Sequence, residues 1–332
     1  MHMADALLSP GVGGIMWAAT AATTAYSARK VQSQLDNRKI PLMGVLGAFI
    51  FAAQMINFAI PGTGSSGHLG GGLLLAILIG PHAAFLTLAS VLTVQALFFA
   101  DGGLLALGGN IFNLGFFPCF IAFPFIYKNI VTMKTGSKHL SIGTIAAAIV
   151  GLQLGSLAVV LQTFLSGITS LPFTSFLLVM QPIHLAIGLA EGIATLGVVS
   201  FIWNARPEIL DRTINERAHG NLPARNIIFV LLAATILIGG IFTGYASKHP
   251  DGLEWSIEKV TGNPKLENPV QSIHNRLEKI QDTTSLMPDY GLKKTSLSGK
   301  RMTSIAGLLG GAIVMVLSIF IGIILKKSRH LT

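Results

Sequence analysis

The sequence predicts an all-α integral membrane protein: a seven-helix bundle followed by a two-helix hairpin that encloses an external loop domain. Three observations predict it. Of the 332 residues, 51% are hydrophobic and only 11% are charged, whereas a soluble domain carries roughly a quarter charged residues. Apolar runs of about the 20 residues that a helical crossing needs recur near 10–28, 41–60, 82–100, 110–127, 140–165, 182–204, 226–245 and 304–325. The basic residues of the short loops between these runs are confined to alternate loops, as the positive-inside rule requires of a multi-span chain, and the nine between 246 and 303 lie in a stretch too long for the rule to weigh.

Residues 69–80, LGGGLLLAILIG, form a shorter ninth run. At roughly 1.5 Å per helical residue it covers about half a bilayer. It is counted here as a span, whether tilted, continuous with its neighbour or partly unwound, because the charge alternation needs it. With nine spans, the loops carrying Arg29, Lys30, Arg38 and Lys39, then Lys128, Lys134 and Lys138, then Arg206, Arg212, Arg217 and Arg225, and the tail with Lys326, Lys327 and Arg329, are all cytoplasmic. Residues 61–68, 101–109 and 166–181 contain no Lys or Arg. They are expected outside together with the N-terminus. Only Met1 to Pro10 precede the first run, without a positively charged start, so a signal peptide is not expected. Methionine aminopeptidases act poorly before a bulky second residue, so Met1 is expected to remain.

The chain reads as two units. Residues 1–205 hold seven spans, 206–225 form a charged cytoplasmic linker with Pro207 and Pro223, and 226–332 form a two-span hairpin around the external loop 246–303. Pro250, Pro264, Pro269 and Pro288 argue against a long regular helix in that loop. GxxxG spacings at Gly151/Gly155, Gly188/Gly192 and Gly307/Gly311 mark possible close approaches of membrane helices.

Several function classes fall away. The net charge of +9 comes from loops between apolar runs rather than from a basic patch with interleaved aromatics, so nucleic acid is not an expected partner. The single cysteine, Cys119, excludes an intrachain disulfide framework and a Cys-based zinc cluster, and reads as a helix-packing thiol. Gly62, Gly64 and Gly67 spell GxGxxG, but they follow a membrane-length run and no acid appears about twenty residues later. No phosphate-binding loop ending in GK[ST] is present, so the chain is not expected to use ATP by that route. Nor does any nucleophile-and-base set or HExxH suggest an enzyme.

The strongest chemical feature is the start of the chain. With a free amine, Met1 and His2 can chelate: the amine and the deprotonated His2 amide close a five-membered ring, and that amide with the imidazole Nδ1 closes a six-membered ring. Three nitrogens then share a plane, and a fourth completes the field that suits Ni(II) or Cu(II). His68, in PGTGSSGHLGGG, is placed on the same external side and is the candidate fourth ligand. Thr63, Ser65 and Ser66 are candidates to orient its ring by hydrogen bonds. Taken alone, a second-position histidine is more often accidental, and a loop histidine more often solvated, than a metal ligand.

Four ordered motifs add a resemblance. MHMADALLSP resembles the start of the NikM/CbiM family, the substrate-binding S components of energy-coupling-factor importers for nickel and cobalt. The segment from GTGSSGHLGGG to GGNIFNLG resembles that family's central signature, and PIHLAIGLAEG its late helix motif. HPDGLEW with MPDYGL resembles the small NikN/CbiN subunit, named for PDGLE, here in the same polypeptide. Ala6 departs from the glycine usual at that position. The resemblance implies a planar metal site made by the Met1 amine, the His2 amide and imidazole, and His68. It implies Ni2+ or Co2+ as the transported ligand, a transmembrane scaffold subunit and two cytoplasmic ATPase subunits as partners, and a prokaryotic cell membrane as the location. SGHLGGG is closer to the nickel branch than to the cobalt branch, so Ni2+ is favoured over Co2+. A self-sufficient secondary metal transporter is the rival from another class.

Other residues have lesser readings. Glu191, the only acid in the seventh run, is read as an interhelical hydrogen-bonding group, and His184 and His82 as packed or interfacial. Asp101 reads chiefly as a helix cap, Asn110 and Asn113 as supports for the site, and Asp5 as a nearby charge. Asp251 and Glu254 read as a capped turn that could also attract ions. Ala48 and Ala52 form a small-residue face that, by the resemblance, is a candidate contact for the scaffold subunit.

Overall fold

The computed structural model describes residues 2–34, 39–134, 136–215, 225–267, 272–291 and 299–329. Helices α1 (Pro10–Gln34) and α2 (Lys39–Gln54) are followed by a two-stranded hairpin, β1 (Phe58–Ala59) and β2 (Ser66–Gly67), then by α3 (Gly72–Ile79) and α4 (Pro81–Phe99). Next, α5 (Leu107–Ile111) runs through a π-helical stretch, Phe112–Tyr127, into α6 (Lys128–Ile130). The long pair α7 (Ser137–Ser166) and α8 (Phe173–Ala205) then packs side by side, and α9 (Pro207–Asn215) follows. The chain continues with α10 (Arg225–Gly240), α11 (Gly252–Thr261), α12 (Ser272–Thr284) and α13 (Gly299–Arg329).

Among the described residues, six helices are long and apolar enough to cross a membrane: 81–99, 107–130, 137–166, 173–205, 226–245 and 301–328. The protein is therefore a helical, multi-pass membrane protein. Three of the nine expected spans fall short of that standard. The run 10–28 lies in α1, whose Thr20, Thr23, Thr24 and Ser27 dilute its apolar character. The run 41–60 is helical only to Gln54.

Residues 69–80 contain an eight-residue helix, bounded by Gly71 at φ 77° and Gly80 at φ 83°. All eight residues of α3 are buried. It is too short to span alone, and it is tied near both of its ends. Gly71 beside its first turn donates its N–H to Glu191, while the Ile77 carbonyl near its last turn accepts from the Thr213 hydroxyl of α9 at 2.6 Å.

Two other boundaries move. The expected loop 166–181 is mostly helix, because α8 starts at Phe173 and passes through Pro182. Proline inside a membrane helix is tolerated when neighbouring groups satisfy the freed backbone. The carbonyl that Pro182 leaves without its helical donor is that of Leu178; close to it, Gln153 of α7 donates to the Gln181 carbonyl at 2.9 Å and His184 donates to the Met180 carbonyl at 2.8 Å. The linker is not wholly irregular either: residues 207–215 form α9, which buries Ile209, Leu210 and Ile214 on one side and packs on α3 and α8.

Gly151, Gly188, Gly192 and Gly307 of the GxxxG pairs sit at close helix approaches. An added Cβ at Gly151 would lie 3.3 Å from Pro118 and Ala122 of the π-helical stretch, and at Gly188 or Gly192 it would meet the α7 backbone at Ile149 or Ile145. At Gly307 it would lie 2.5 Å from the Gly239 carbonyl oxygen, so α10 and α13 are in backbone contact. The pair α10 and α13 also covers α2. Ala48 and Ala52 are buried there, against Gly311 and Gly239. The expectation that this small-residue face meets a scaffold subunit is therefore corrected: the chain's own hairpin occupies it. Cys119 is buried against the Gly72 carbonyl, a packing position.

Because backbone cannot yield at the α10–α13 contact, Gly307→Ala should destabilise the protein by about 1–3 kcal/mol. Thermal denaturation of the purified variant in detergent should show a lower midpoint than the parent. An unchanged midpoint would mean that the two helices do not pack this closely.

Candidate metal centre

The start of the chain is held by its backbone. The side-chain amide of Asn110 accepts from the Met3 N–H at 2.8 Å and donates to the Met3 carbonyl at 3.1 Å, as a neighbouring strand would. The Gly103 N–H also donates to the Met3 carbonyl, at 2.9 Å. One turn later the Asp5 carboxylate accepts from the Ala106 N–H at 2.9 Å, and His274 of α12 donates to the Leu8 carbonyl at 3.0 Å. Met3 and Leu8 are fully buried. Gly102, at φ 84°, passes so close that a Cβ there would lie 3.3 Å from the His2 Cβ and 2.9 Å from Asn110, so glycine is needed twice over. His2 is thus fixed by the residues that follow it.

His68 is placed by the β1–β2 hairpin, whose turn uses Gly62 and Gly64 in left-handed backbone. The C-terminal part of the chain extends this hairpin. The Ser66 N–H donates to the Pro250 carbonyl and its hydroxyl to the His249 carbonyl, both at 2.8 Å, and the Trp255 indole donates to the Thr63 carbonyl at 3.0 Å. On the far side of His68, Gln54 donates to the Gly70 carbonyl and the Gly71 N–H donates to Glu191.

These supports bring the two imidazoles face to face, with ring centroids 5.0 Å apart and planes 7° from parallel. The His68 Nδ1 lies 3.0 Å from the Leu69 carbonyl oxygen. A carbonyl can only accept, so Nδ1 carries the hydrogen and Nε2 presents its lone pair. That Nε2 is 4.0 Å from Asp251. His2 donates from Nδ1 to Asp101 at 3.0 Å, and its buried Nε2 has no hydrogen-bond partner among the described residues. Asp101 accepts a second hydrogen bond from the Tyr290 hydroxyl. Asp251 is held by a capping box at the start of α11, accepting from the Leu253 and Glu254 amides while Glu254 accepts from the Asp251 N–H.

The electrostatics follow from this enclosure. Burial, then the neighbouring His2, lowers the His68 pKa to about 3, so its ring is neutral at neutral pH. Burial works against the Asp101 charge, but attraction to His2 and the hydrogen bonds from His2 and Tyr290 outweigh it and hold the carboxyl below its usual range. Tyr290 is pushed far above the ordinary tyrosine value by burial and by Asp101.

Both rings face an open vestibule of about 1080 Å³. Its walls carry Asp5, Asp101, Asp251, Glu254, Glu278, Asp282 and Asp289 against Lys248 and Lys265. Among the described residues, no three His, Cys, Asp or Glu side chains form a metal-holding group. Met1, the expected source of the amine, lies outside the described residues.

The remaining predicted residues are dispersed around this centre. Ser65 donates to the Ser66 carbonyl, Ser66 docks the 249–250 segment, and Thr63 donates to the Ile60 carbonyl, so the expectation that these hydroxyls orient the His68 ring is corrected. The Leu69 carbonyl takes that role. Asn110 grips Met3 rather than an imidazole, and Asn113 pairs with Gln162 at 2.8 and 2.9 Å. Asp101 caps no helix, since α5 begins only at Leu107. Glu191 bonds the backbone before α3 rather than another long helix. His184 is buried in α8 and His82 packs between Tyr26 and Phe120. Asp251 and Tyr290 are the centre's residues that sequence reasoning did not place there. The D-x-x-E spacing of Asp251 and Glu254 signals the cap, but no local pattern signals the contact with His68 or that of Tyr290 with Asp101.

Comparison with known proteins gives independent results. Residues 2–209 match a family model described as the cobalt uptake substrate-specific transmembrane region, and residues 225–327 match the PDGLE domain. A protein of Archaeoglobus fulgidus named as a fused nickel transport protein, NikMN, is 33% identical over 322 residues, covering 96% of both chains. The cobalt transport protein CbiM of Geobacter sulfurreducens is 29% identical over 276 residues, covering 78% of this chain and 77% of its own. A crystal structure of a truncated transition metal transporter superposes with a TM-score of 0.55 at 30% identity, covering 62% of this chain and 99% of that one.

The buried geometry sets an expectation for His68. Its pKa is depressed, so it takes up a proton only several units below the ordinary histidine range and should remain neutral from about pH 8 down to about pH 5. Nitrogen NMR of histidine-labelled protein should show an unprotonated Nε2 throughout that range. A titration near the ordinary value of 6.5 would contradict the enclosed site.

Proposed function

Because the chain belongs to the family of cobalt-uptake substrate-specific transmembrane regions and carries a PDGLE domain in the same polypeptide, we propose that it is the ion-capturing subunit of an ATP-driven energy-coupling-factor importer. It takes Ni2+ from outside the cell through the Met1 amine, the His2 amide, the His2 Nδ1 and the His68 Nε2. The pairing of the His2 and His68 rings carries this proposal. Two neutral-capable imidazoles and two chain-terminal nitrogens make a planar four-nitrogen field, which suits Ni(II). The tautomer imposed on His68 by the Leu69 carbonyl leaves the required nitrogen unprotonated. The His2 Nδ1 must exchange Asp101 for the cation.

In this proposal the unit 1–205 is the metal-binding S component, 206–225 is a cytoplasmic linker, and 226–332 is the PDGLE unit, whose loop 246–303 walls the site. The N-terminus lies outside and the C-terminus in the cytoplasm. A transmembrane scaffold subunit and two ATPase subunits supply the energy, and this chain hydrolyses nothing. Co2+ is the second reading, favoured by the description of the family model and by the name of the Geobacter relative. A secondary transporter draws little support, since Glu191, its best relay candidate, is engaged with the backbone at Gly71.

Binding should weaken as pH falls, because the amine, amide and imidazole must lose protons to bind metal. At constant pH, His2→Ala, His68→Ala and an N-terminally extended form should each bind Ni2+ at least about a hundredfold more weakly than the native chain, or roughly 2.7 kcal/mol. Titration calorimetry of the purified chain measures this. Equal affinity in the extended form would rule out the terminal chelate, and tighter binding of Co2+ than of Ni2+ would favour the second reading.

A further inference from the structure

Among the described residues, three that are not glycine adopt positive φ: Ala100 at 54°, Asp289 at 50° and Tyr290 at 58°. All three lie at one contact. Ala100 ends α4 and precedes Asp101, while Asp289 and Tyr290 form a short turn before Gly291. Two successive left-handed residues, one of them a bulky tyrosine, persist only where the surroundings over-determine them. Here the Leu286 and Met287 amides both donate to the Phe98 carbonyl, at 2.9 and 3.1 Å. Gln281 donates to the Ala96 and Gly102 carbonyls at 2.9 and 2.7 Å. The Tyr290 ring stacks on Phe99 at 5.1 Å. The result of this strained arrangement is a chain of two hydrogen bonds, from the Tyr290 hydroxyl to one Asp101 oxygen and from the His2 Nδ1 to the other.

We propose that Tyr290 and Asp101 are positioning residues for metal capture: Tyr290 fixes the Asp101 carboxylate as the resting partner of His2, which keeps the His2 ring aligned over His68 until a divalent cation takes its Nδ1. The inference rests on the metal site proposed above. It assigns the C-terminal unit a direct part in assembling that site, through one hydroxyl. A tyrosine suits the task because its hydroxyl can donate to the carboxylate while its ring is locked by Phe99 and Phe51. The carboxylate cannot swing towards the vestibule while it accepts both bonds. His2, held by the carboxylate and by the pinned backbone at Met3, waits in one orientation.

The test mixes nickel chloride rapidly with the full chain, native N-terminus intact, in detergent, and follows the visible absorption of planar nickel bound by nitrogen. Tyr290→Phe keeps the ring stack and removes the hydroxyl; Asp101→Asn keeps the shape and removes the charge. Each should slow loading roughly tenfold, as loss of a partner that orients a metal ligand typically does, while reaching the same final spectrum. In the Asp101→Asn background, Tyr290→Phe should add nothing, because it acts through the carboxylate. Loading at the parental rate in both variants would overturn the inference, and so would slowing factors that multiply in the double variant. The control is His2→Ala. If it gave the parental spectrum, the metal site itself would be wrong; a silent His2→Ala with unslowed Tyr290→Phe and Asp101→Asn would defeat only the positioning role.

Discussion

The centre depends first on the grip of Asn110 on Met3. One side-chain amide satisfies both main-chain groups of a residue near the end of a chain. Backbone ends are ordinarily loose, and an unpaired N–H or C=O that is buried away from water costs roughly as much as a lost hydrogen bond. Asn110 removes both difficulties together, and Gly103 adds a further bond to the same carbonyl. Residue 2 is then delivered to the place where its ring meets Asp101 and His68. Any chemistry at the start of this chain requires that place to be constant.

The second constraint is that neither imidazole is housed by one part of the chain. His2 faces Asp101, which Tyr290 holds, and His68 lies near Asp251, which the capping box of α11 holds. Each histidine therefore looks onto a carboxylate whose geometry is set from beyond residue 250. The same region pairs with the hairpin at Ser66 and pins the N-terminal segment at Leu8. Joining the PDGLE unit to the first unit in one polypeptide keeps these contacts at high effective concentration, which two separate subunits would have to achieve by affinity. The buried α2, with Ala48 and Ala52 under α10 and α13, is the membrane part of the same union.

Much of the scaffold was legible because hydrophobic length and glycine spacing are local properties. The long apolar helices and the three GxxxG approaches follow from them. The run 69–80 was legible as a short apolar helix, but its counting as a span was not upheld, since the helix covers only Gly72–Ile79 between two glycines at positive φ. The extension of α8 through Pro182 accompanies its packing along α7, and the helical start of the linker its packing against α3 and α8. At the candidate centre, the nearness of His2 and His68 could be anticipated from loop alternation, although their ligand role is proposed. Asp101 looked like a cap because nothing local reveals a tyrosine 189 positions away that will bond it. The hydroxyls of Thr63, Ser65 and Ser66 looked like supports for His68 because they are close in sequence, yet the backbone and the C-terminal segment use them first.

The central claim is that the ion lies in a plane of four nitrogens, three of them from the first two residues. X-ray absorption at the nickel edge of the loaded, full-length protein measures this most directly. The account predicts a four-coordinate, planar shell made of nitrogen alone, including scattering from imidazole. A six-coordinate shell, or one with carboxylate oxygen bound to the metal, would contradict it.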